Sequence, residues 1–358
     1  MTSFERNMTT LKVLQQSFPV RNLNSVKTVL AVAAGKGGVG KSSVAVNLAL
    51  ALKNRGFKVG LLDADIYGPS LEQMLPKGIE PTENPQNPEM LLPGLTLGMP
   101  FISVAHFRKG ASIVRAPIAN QIITQFLDTV EWGELDYLII DFPPGTGDIQ
   151  LTLMQKAFIS GAIMVTTPQI VATLDVRKAI QLFLKMEIPI LGIIENMSYF
   201  QDPLSGARFT PFGAGGGKSL AREFTIPLLG EIPIDPAISA AGDRGESLFE
   251  KGGGAVFMDI STQILEKIAP LSKEISEVRQ KDAHHMEISI EGGWAILSLA
   301  LIQENCPCAR CKIKKKCAVD VALLEFSRVG RYAVRLTFSS GCSQGIYPLS
   351  LLQRLARL

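Results

Sequence analysis

Eight consecutive residues, Gly35 to Ser42, combine a flexible backbone with a lysine and a hydroxyl that could grip phosphate. They read G-K-G-G-V-G-K-S. Glycines allow such a loop to curl so that several N–H groups point at phosphate oxygens, and a helix that follows adds partial positive charge. Lys41 would reach the β- and γ-phosphates, and the Ser42 hydroxyl would ligate Mg²⁺. The octet therefore predicts a site for a nucleoside triphosphate such as ATP with its magnesium ion.

The residues on either side of this loop predict the elements that must position it. Residues 28–34 form an apolar run typical of a buried parallel strand, and residues 43–52 suit a helix packed on a sheet. A phosphate-binding loop requires this strand–loop–helix context. The alternative, a glycine-rich turn before a core helix, accounts poorly for the complete octet. The residues predicted to contact the nucleotide here are Gly35, Gly37, Gly38, Val39, Gly40, Lys41, Ser42 and Ser43.

Three aspartates stand where predicted strands end, and each could serve the magnesium ion or an attacking water. Asp63 and Asp65 come at the end of the strand 59–63. Alternate residues of an extended segment point the same way, so both carboxylates can face the loop. Asp141 ends the strand 137–141, a position that suits a group holding Mg²⁺ through water. For Asp63 and Asp65 the alternative is an acidic turn in solvent.

The chain from about Val26 to Ala269 alternates short apolar strands with helical stretches such as 176–186. This alternation predicts right-handed βαβ crossovers and a doubly wound, mostly parallel α/β sheet. In such a sheet ligands bind at the carboxyl ends of the strands, where the aspartates lie. Further strands are predicted at 161–166, 190–194 and 227–233.

Four segments are predicted along the 358 residues, a length that suits one large domain and one small one. Residues 1–25 are a short N-terminal stub, and residues 26–270 form the ATPase domain. A polar linker covers 271–285. Residues 286–358 alternate with frequent turns and are predicted to form a small β-rich, metal-binding domain.

All five cysteines lie in this last segment, and such crowding favours metal ligation over a disulfide framework. Cys306, Cys308 and Cys311 place three soft ligands in one tight loop. Cys342 could complete a four-coordinate tetrahedron, and Cys317 is an alternative ligand. Such a set suits Zn²⁺ or an Fe–S centre. Zinc, a transferable cluster and free thiols all remain open at this point.

The early lysine of the loop narrows the class of enzyme. With Lys36 the octet resembles the deviant P-loop of dimeric ATPases, which include the partition proteins, nitrogenase reductase and the Mrp/Nbp35 iron–sulfur carriers. The resemblance implies a homodimer in which Lys36 touches the nucleotide of the other subunit, as an arginine finger does in other phosphoryl-transfer enzymes. It also implies that Asp65 orients the attacking water and that Asp63 supports the Mg²⁺ shell. The alternative for Lys36 is a solvated loop lysine.

Four further motifs look like the Mrp/Nbp35 (ApbC) family, and together they cover about 26–268. They are D-A-D-I-Y-G-P-S at 63–70, D-F-P-P-G-T-G-D at 141–148, V-T-T-P-Q at 165–169 and E-N-M-S-Y-F at 195–200. Members of that family are ATP-dependent carriers, so the resemblance implies an ATP-hydrolysing carrier or scaffold that binds iron–sulfur clusters and transfers them to apoproteins. It also implies that Asn196, Pro233 and Asp235 line the adenine, since an amide can both donate and accept there.

One departure from the family pattern concerns its cluster ligands. The family follows the E-N-M-S-Y-F motif with Cys-Pro-x-Cys-Gly, whereas this chain has Asp202 and Ser205 in place of both cysteines. Oxygen ligands are poor substitutes for thiolates at an iron–sulfur cluster. The usual family site therefore does not carry over to this chain.

The cysteine-rich tail resembles the small domain, known as DUF971, found at the N-terminus of γ-butyrobetaine hydroxylase. There a Cys-x-Cys-x-x-Cys pattern and a distant His bind zinc, and here Cys342 stands where that His would be. An ATPase followed by this tail looks like the plastid iron–sulfur scaffold branch of the Mrp family. The resemblance therefore implies Zn²⁺ or a cluster at Cys306, Cys308, Cys311 and Cys342.

Composition narrows the location and the partners. The net charge of +3 is too small to favour a nucleic-acid partner, and no apolar run approaches the roughly 20 residues that span a bilayer. A cytoplasmic location is expected, although a transit peptide removed earlier would leave no trace.

The basic, amphipathic stretch 347–358 either closes its own domain or lies on a membrane, and no stable membrane association is expected. Rival functions are a MinD/ParA-like positioning ATPase and a zinc-stabilised regulatory ATPase without cluster transfer.

Overall fold

The computed structural model describes most of the chain. The described residues are 23, 25–107, 116–273, 278–290, 293–308, 311, 321–329, 333–342 and 345–357. All structural statements below concern these residues.

The described part of the larger unit contains twelve strands, numbered along the chain. They are β1 (Val26–Ala34), β2 (Val59–Asp63), β3 (Thr82–Asn84), β4 (Asn87–Leu92), β5 (Gly94–Thr96), β6 (Met99–Ser103), β7 (Leu135–Asp141), β8 (Gly161–Thr166), β9 (Ile190–Glu195), β10 (Phe200–Gln201), β11 (Arg208–Phe209) and β12 (Leu228–Glu231). Its α-helices are α1 (Lys41–Asn54), α2 (Leu71–Met74), α3 (Ala116–Thr129), α4 (Asp148–Lys156), α5 (Ile170–Lys185), α6 (Gly216–Phe224), α7 (Pro236–Arg244) and α8 (Ala255–Lys273). Short 3-10 helices lie at Val104–Phe107 and Leu248–Lys251.

Eight of these strands form one sheet in the order β12-β9-β8-β1-β7-β2-β6-β5. All neighbouring pairs are parallel except β5 with β6, which form an antiparallel edge. The predicted fold class, a mostly parallel doubly wound α/β sheet, is confirmed. Central β1 pairs on one side with β7, which ends in Asp141, and on the other with β8. The phosphate loop and Asp141 therefore leave the same edge of the sheet.

Alternate residues of β1 enter two different apolar layers, because successive side chains of a strand point to opposite faces. Leu30 and Val32 pack with α1 and α8, while Ala31 and Ala33 pack with α3, α4 and α5. Every β1 residue from Val29 to Ala34 is at most 4% exposed. Coverage on both faces explains why the strand sequences are almost wholly apolar.

The proline-rich stretch from Pro76 to Pro100 contains antiparallel pairs of strands. Strand β3 pairs with β4, and β5 pairs with β6. Strands β6 and β5 of this stretch extend the large sheet beyond β2.

The described part of the smaller unit contains two three-stranded antiparallel sheets, with helices that include α9 and α10. Its elements are β13 (Val278–Gln280), β14 (His285–Ile290), β15 (Gly293–Ser298), α9 (Leu299–Glu304), β16 (Leu323–Val329), β17 (Ala333–Phe338), β18 (Gly345–Pro348) and α10 (Leu349–Ala356). They enclose an apolar core of their own.

The segment 271–285 was expected to be a linker, but parts of it belong to a helix and a strand. Helix α8 runs to Lys273, and β13 hydrogen-bonds to β14, with Val278 opposite Ile288. Val278 is 6% exposed, so this residue anchors the segment in the small core. We therefore place the start of the small unit near Val278.

The amphipathic C-terminal stretch forms α10, whose apolar face packs on its own unit. Leu352 and Leu355 are buried against β14, β15 and β18, while Arg354 and Arg357 are exposed. Of the two readings of this helix, closure of its own domain is the one observed. Within the described part of the chain, no helix combines the length and the apolarity required to cross a bilayer.

Candidate nucleotide site and cysteine site

The phosphate loop has the backbone that its glycines predict. Gly38 and Gly40 adopt the left-handed conformation with φ of 78° and 80°. Gly35 lies so close to α5 that a Cβ there would sit 2.1 Å from the carbonyl carbon of Asp175. A Cβ on Gly37 or Gly38 would meet nothing within 4 Å. The loop is therefore fixed at its start and open at its turn, which suits a cradle for a phosphate chain.

Asn196 contacts the phosphate loop rather than an open pocket. Its side-chain Nδ2 donates to the carbonyl oxygen of Val39 at 2.9 Å, and the side chain is 8% exposed. A Cβ on Gly40 would lie 2.1 Å from the same nitrogen, so the glycine makes room for this contact. The amide thus braces the loop, and contact between Asn196 and adenine stays a prediction.

Four predicted residues meet at the end of the loop. Lys41 Nζ lies 2.6 Å from Asp141 Oδ1, and the Ser42 hydroxyl donates to Asp141 Oδ2 at 2.6 Å. Asp65 Oδ2 lies 3.8 Å from the same Lys41 nitrogen. Lys41 is 6% exposed and Asp141 is fully buried. Burial raises the pKa of Asp141, while Lys41 and Ser42 act in the opposite direction.

Asp63 is completely buried, and protein donors occupy both of its carboxylate oxygens. Oδ1 accepts from the backbone N–H of Asp65 at 3.1 Å. Oδ2 accepts from the Ser103 hydroxyl at 3.0 Å and from the N–H of Leu71 at 3.4 Å. Burial, followed by the charge of Asp141, raises its pKa to about 7. These contacts suit a group that positions Asp65 better than the Mg²⁺ shell role implied by the resemblance.

The charge of the site favours a divalent cation. One ammonium group, that of Lys41, faces the carboxylates of Asp63, Asp65 and Asp141. Hard oxygen ligands of this kind suit Mg²⁺. The residues present therefore fit the expected ion, with Ser42 and Asp141 best placed to hold it.

Lys36 lies half-buried in the loop and forms no ion pair within the described part of the chain. Its side chain is therefore not committed to the carboxylates of its own site. Ser43 lies half-buried in the first turn of α1.

The loop after Asp141 is uncrowded at its two glycines. Gly145 has a φ of 92°, and a Cβ on Gly145 or Gly147 would meet nothing within 4 Å. The N–H of Gly145 donates to the carbonyl of Ala34 at 3.3 Å, which ties this loop to the start of the phosphate loop. This pairing fits a segment that responds to the γ-phosphate.

Asp235 has a local structural role. Its side chain accepts from the N–H of Ala237 at 2.8 Å and caps α7, with Pro236 at the first helical position. Asp235 is exposed and Pro233 is half-buried. A wall of the adenine pocket at these two residues stays a prediction.

Sequence reasoning missed two buried polar contacts near the site. Ser103 holds Asp63, as described above. Glu195 is fully buried and accepts from the Ser198 hydroxyl at 2.6 Å and from the N–H of Gly217 at 2.5 Å. Glu195 thus joins the end of β9 to the start of α6. A carboxylate that ends an apolar strand was the available signal, the same one that identified Asp141.

The hairpin of β10 and β11 carries Asp202 and Ser205, the residues found where the family has cysteines. Asp202 Oδ2 accepts from the Ser205 hydroxyl at 2.7 Å, and Oδ1 accepts from the N–H of Leu204 at 3.0 Å. The hydroxyl contact lowers the pKa of Asp202. The tip is therefore a closed turn with oxygen ligands, and it suits a soft metal poorly.

Four cysteines converge in the small unit, as predicted. Cys342 Sγ lies 3.7 Å from that of Cys306, 3.9 Å from that of Cys308 and 3.4 Å from that of Cys311. All four sulfurs lie within 4.8 Å of one another. Cys306 and Cys342 are buried, and the other two are half-buried. Cys317 lies outside the described residues.

This spacing matches a single tetrahedral ion. Zinc–sulfur bonds of about 2.3 Å place neighbouring sulfurs about 3.8 Å apart. In a [4Fe–4S] cluster each cysteine ligates a different iron, which spreads the sulfurs more widely. The arrangement therefore fits one zinc-sized ion better than a cubane.

The electrostatics of the four thiols also favour a cation. Burial raises the pKa of Cys306 to about 11, and burial followed by the neighbouring thiols raises that of Cys311 further. Four thiols this close cannot all ionise unless a positive ion offsets their charge. A metal that binds here would therefore displace protons as it binds.

Comparisons with known proteins match each of the two units to a family. A family model described as NUBPL iron-transfer P-loop NTPase matches residues 25–269, and one described as γ-butyrobetaine hydroxylase-like, N-terminal, matches 278–353. The chain is 37% identical over 354 residues to the rice protein named Fe-S cluster assembly factor HCF101, chloroplastic. That match covers 94% of this chain and 66% of the rice protein, so the chain spans just under two thirds of that relative.

A bacterial relative and a solved structure extend the comparison. The iron-sulfur cluster carrier protein of Escherichia coli strain K12 is 42% identical over 267 residues, covering 74% of this chain and 71% of that protein. A nucleotide-binding protein from Archaeoglobus fulgidus, solved in complex with ADP, has 40% identity and a TM-score of 0.55. It covers 64% of this chain and 93% of the archaeal one. With the resemblance confirmed over most of its length, the chain belongs to the family of NUBPL iron-transfer P-loop NTPases.

Proposed function

We propose that this protein hydrolyses ATP to drive the binding of iron–sulfur clusters and their transfer to apoproteins. The observation that carries the proposal is the contact of Lys41 and Ser42 with buried Asp141 beneath an open glycine cradle. The names of the rice and bacterial relatives supply the cargo, an iron–sulfur cluster.

In this proposal each site residue has a defined task. Lys41 leaves Asp141 to hold the β- and γ-phosphates, while Ser42 and Asp141 hold Mg²⁺. Held there, Mg²⁺ would supply positive charge that stabilises the phosphates during transfer. Asp65 orients the attacking water, and Asp63 fixes the backbone of Asp65 through their 3.1 Å hydrogen bond.

The proposed active species is a homodimer. Lys36 has no carboxylate partner among the described residues, so its ammonium is available to reach the nucleotide of a second copy. Such a charge supplied in trans is worth roughly 10³–10⁵ in rate in other phosphoryl-transfer enzymes. Hydrolysis would then report that two protomers have met.

A second candidate is a zinc-stabilised ATPase that assists cluster assembly without holding the cluster. Two observations favour it. The hairpin has Asp202 and Ser205 instead of thiolates, and the four tail sulfurs are spaced for one ion. Under this candidate the tail cysteines hold Zn²⁺, and the cluster remains on thiols of the partner proteins.

Anaerobic reconstitution with iron and sulfide separates the two candidates. The measurement is the absorption spectrum together with iron, sulfide and zinc content, for the intact chain and for a Cys306→Ala, Cys308→Ala variant. A sulfide-dependent chromophore that the variant lacks supports cluster binding at the tail. One equivalent of zinc without a chromophore rejects cluster binding there and supports the second candidate.

Nucleotide binding is tested independently by titration calorimetry with ATP and ADP in the presence of Mg²⁺. We expect binding by the intact chain and none by Lys41→Ala. Circular dichroism checks that the variant is folded, because it leaves buried Asp141 without its partner. An intact chain that binds neither nucleotide would refute both candidates.

A further inference from the structure

A buried tyrosine hydroxyl lies beside the four-cysteine site without a partner. Tyr347, in β18, is fully buried, and its oxygen forms no hydrogen bond of ordinary geometry with any described residue. Buried hydroxyls normally find a partner. The acceptor beside this hydroxyl is the sulfur of Cys306.

Gly345 shows how close the tyrosine is to the metal ligands. A Cβ placed on Gly345 would lie 3.0 Å from the hydroxyl oxygen of Tyr347 and 3.1 Å from Cys306 Sγ. The hydroxyl and the sulfur therefore border the same small space, which is free because residue 345 has no side chain. The hydroxyl also acts to lower the pKa of Cys306 against the larger effect of burial.

The tyrosine ring is held by packing, so its hydroxyl has little freedom to turn elsewhere. Phe338 contacts the ring edge-on, with centroids 6.0 Å apart and planes at 83°. Leu336 and Phe338 of the neighbouring strand are also fully buried. A rigid aromatic ring of this kind can orient a ligand in the way that outer groups orient metal ligands elsewhere.

We propose that Tyr347 is a positioning residue that donates a hydrogen bond from its hydroxyl to the Cys306 thiolate when the four cysteines hold a metal ion. A neutral thiol is a weak acceptor, whereas a metal-bound thiolate carries negative charge and accepts strongly. The hydroxyl therefore interacts with the sulfur only weakly while Cys306 is a neutral thiol, and strongly once the sulfur is a metal-bound thiolate. Metal binding and this hydrogen bond reinforce each other.

The inference rests on the proposal that the cysteines bind a metal. Titration with cobalt(II) tests metal binding and the hydrogen bond from Tyr347 separately. Cobalt(II) replaces zinc in tetrahedral thiolate sites and adds a thiolate-to-metal charge-transfer absorption. The full-length chain is titrated with cobalt(II) in competition with a chelator, and its spectrum is compared with that of Tyr347→Phe. The variant keeps the ring and removes only the hydroxyl.

We expect Tyr347→Phe to bind one cobalt ion with affinity lowered about tenfold, the size typical of such outer contacts. Its charge-transfer band should move to lower energy, because the sulfur lone pairs lose the stabilising O–H. Tyr137→Phe is the matched control, since it deletes a hydroxyl from another buried ring packed edge-on, against Phe57 in the larger unit. This control should bind cobalt as the intact chain does.

Two results would overturn the inference. Equal affinity and an unmoved band in Tyr347→Phe would show that the hydroxyl does not reach the thiolate, although the metal site stands. An intact chain without a thiolate-to-cobalt band would remove the metal site and the inference with it, but would leave ATP binding untouched.

Discussion

At the scale of single residues, the nucleotide site is defined by one ammonium group among three carboxylates. Lys41 contacts Asp141 at 2.6 Å and lies 3.8 Å from Asp65, and Asp63 stands behind Asp65. Burying charge is costly unless it is paired, so these residues are tied to one another until substrate arrives. Lys36, by contrast, has no carboxylate partner in the described part of the chain.

Lys36→Ala should separate binding from turnover. We expect ATP affinity to change by less than about threefold, and hydrolysis to fall by roughly 10³ or more, because the cation would act only in the transition state of the other subunit. Calorimetry and phosphate release measure the two effects. Normal hydrolysis by this variant would show that the lysine is an ordinary loop residue.

Asp63 should make stability depend on pH in a characteristic direction. Its pKa of about 7 in the folded chain exceeds the ordinary value of 3.8, so the folded state binds the proton more tightly than the unfolded state. Its contribution is then present at low pH and is lost as pH rises through about 7. In metal-free buffer, the melting temperature of the intact chain minus that of Asp63→Asn should decrease between pH 5 and pH 8. Parallel pH profiles for the two proteins would contradict this assignment.

At the scale of elements, the hairpin of β10 and β11 explains how this chain departs from its family. The Asp202 carboxylate closes the turn by accepting from Ser205 and Leu204. The two positions that carry thiolates elsewhere are therefore still close together, but they hold each other rather than a metal. The two side chains supply oxygen atoms, which are poor ligands for an iron–sulfur cluster.

Replacing both residues should restore soft ligands to this hairpin. We expect an Asp202→Cys, Ser205→Cys variant to gain a sulfide-dependent chromophore on anaerobic reconstitution, at about one [4Fe–4S] cluster per dimer. An Asp202→Ala, Ser205→Ala variant controls for loss of the closed turn. If the cysteine variant stays colourless, the two hairpin tips of a dimer do not meet.

At the scale of the whole molecule, apolar side chains stand exposed at the edge of the sheet that bears the phosphate loop. Ile170 and Val171, at the start of α5, are 76% and 63% exposed, and Leu204 at the hairpin tip is 95% exposed. Helix α5 follows the carboxyl end of β8, beside β1, and its residue Asp175 touches Gly35. Two adjacent exposed apolar residues such as Ile170 and Val171 are typical of a surface that another protein covers.

A charge on this surface should prevent dimer formation. We expect Ile170→Asp, Val171→Asp to bind ATP normally, to remain monomeric in light scattering with ATP and Mg²⁺, and to lose most hydrolysis. A Leu324→Asp variant is the control for added surface charge, because this residue is 68% exposed and lies in the smaller unit. A dimeric, active double variant would place the interface elsewhere.

Local sequence patterns by themselves determined the fold class and the chemical groups of the nucleotide and cysteine sites. The octet 35–42, the apolar strands and the spacing of Cys306, Cys308 and Cys311 are encoded over a few residues each. Such short-range signals survive because backbone conformation and strand periodicity depend mainly on neighbouring residues. The phosphate loop, the parallel sheet and the cysteine loop were therefore predictable.

Tertiary structure alone decided which groups meet across long separations in the chain. Residues between 31 and 157 positions apart meet in three places. Asn196 hydrogen-bonds to Val39, the Ser103 hydroxyl hydrogen-bonds to Asp63, and Cys342 approaches the cysteine loop. Strand register and packing fix such pairs, and no local propensity encodes them. For the same physical reason, the hydrogen bond from the Asp65 N–H to Asp63 and the closeness of Tyr347 to Cys306 could be seen only in the folded chain.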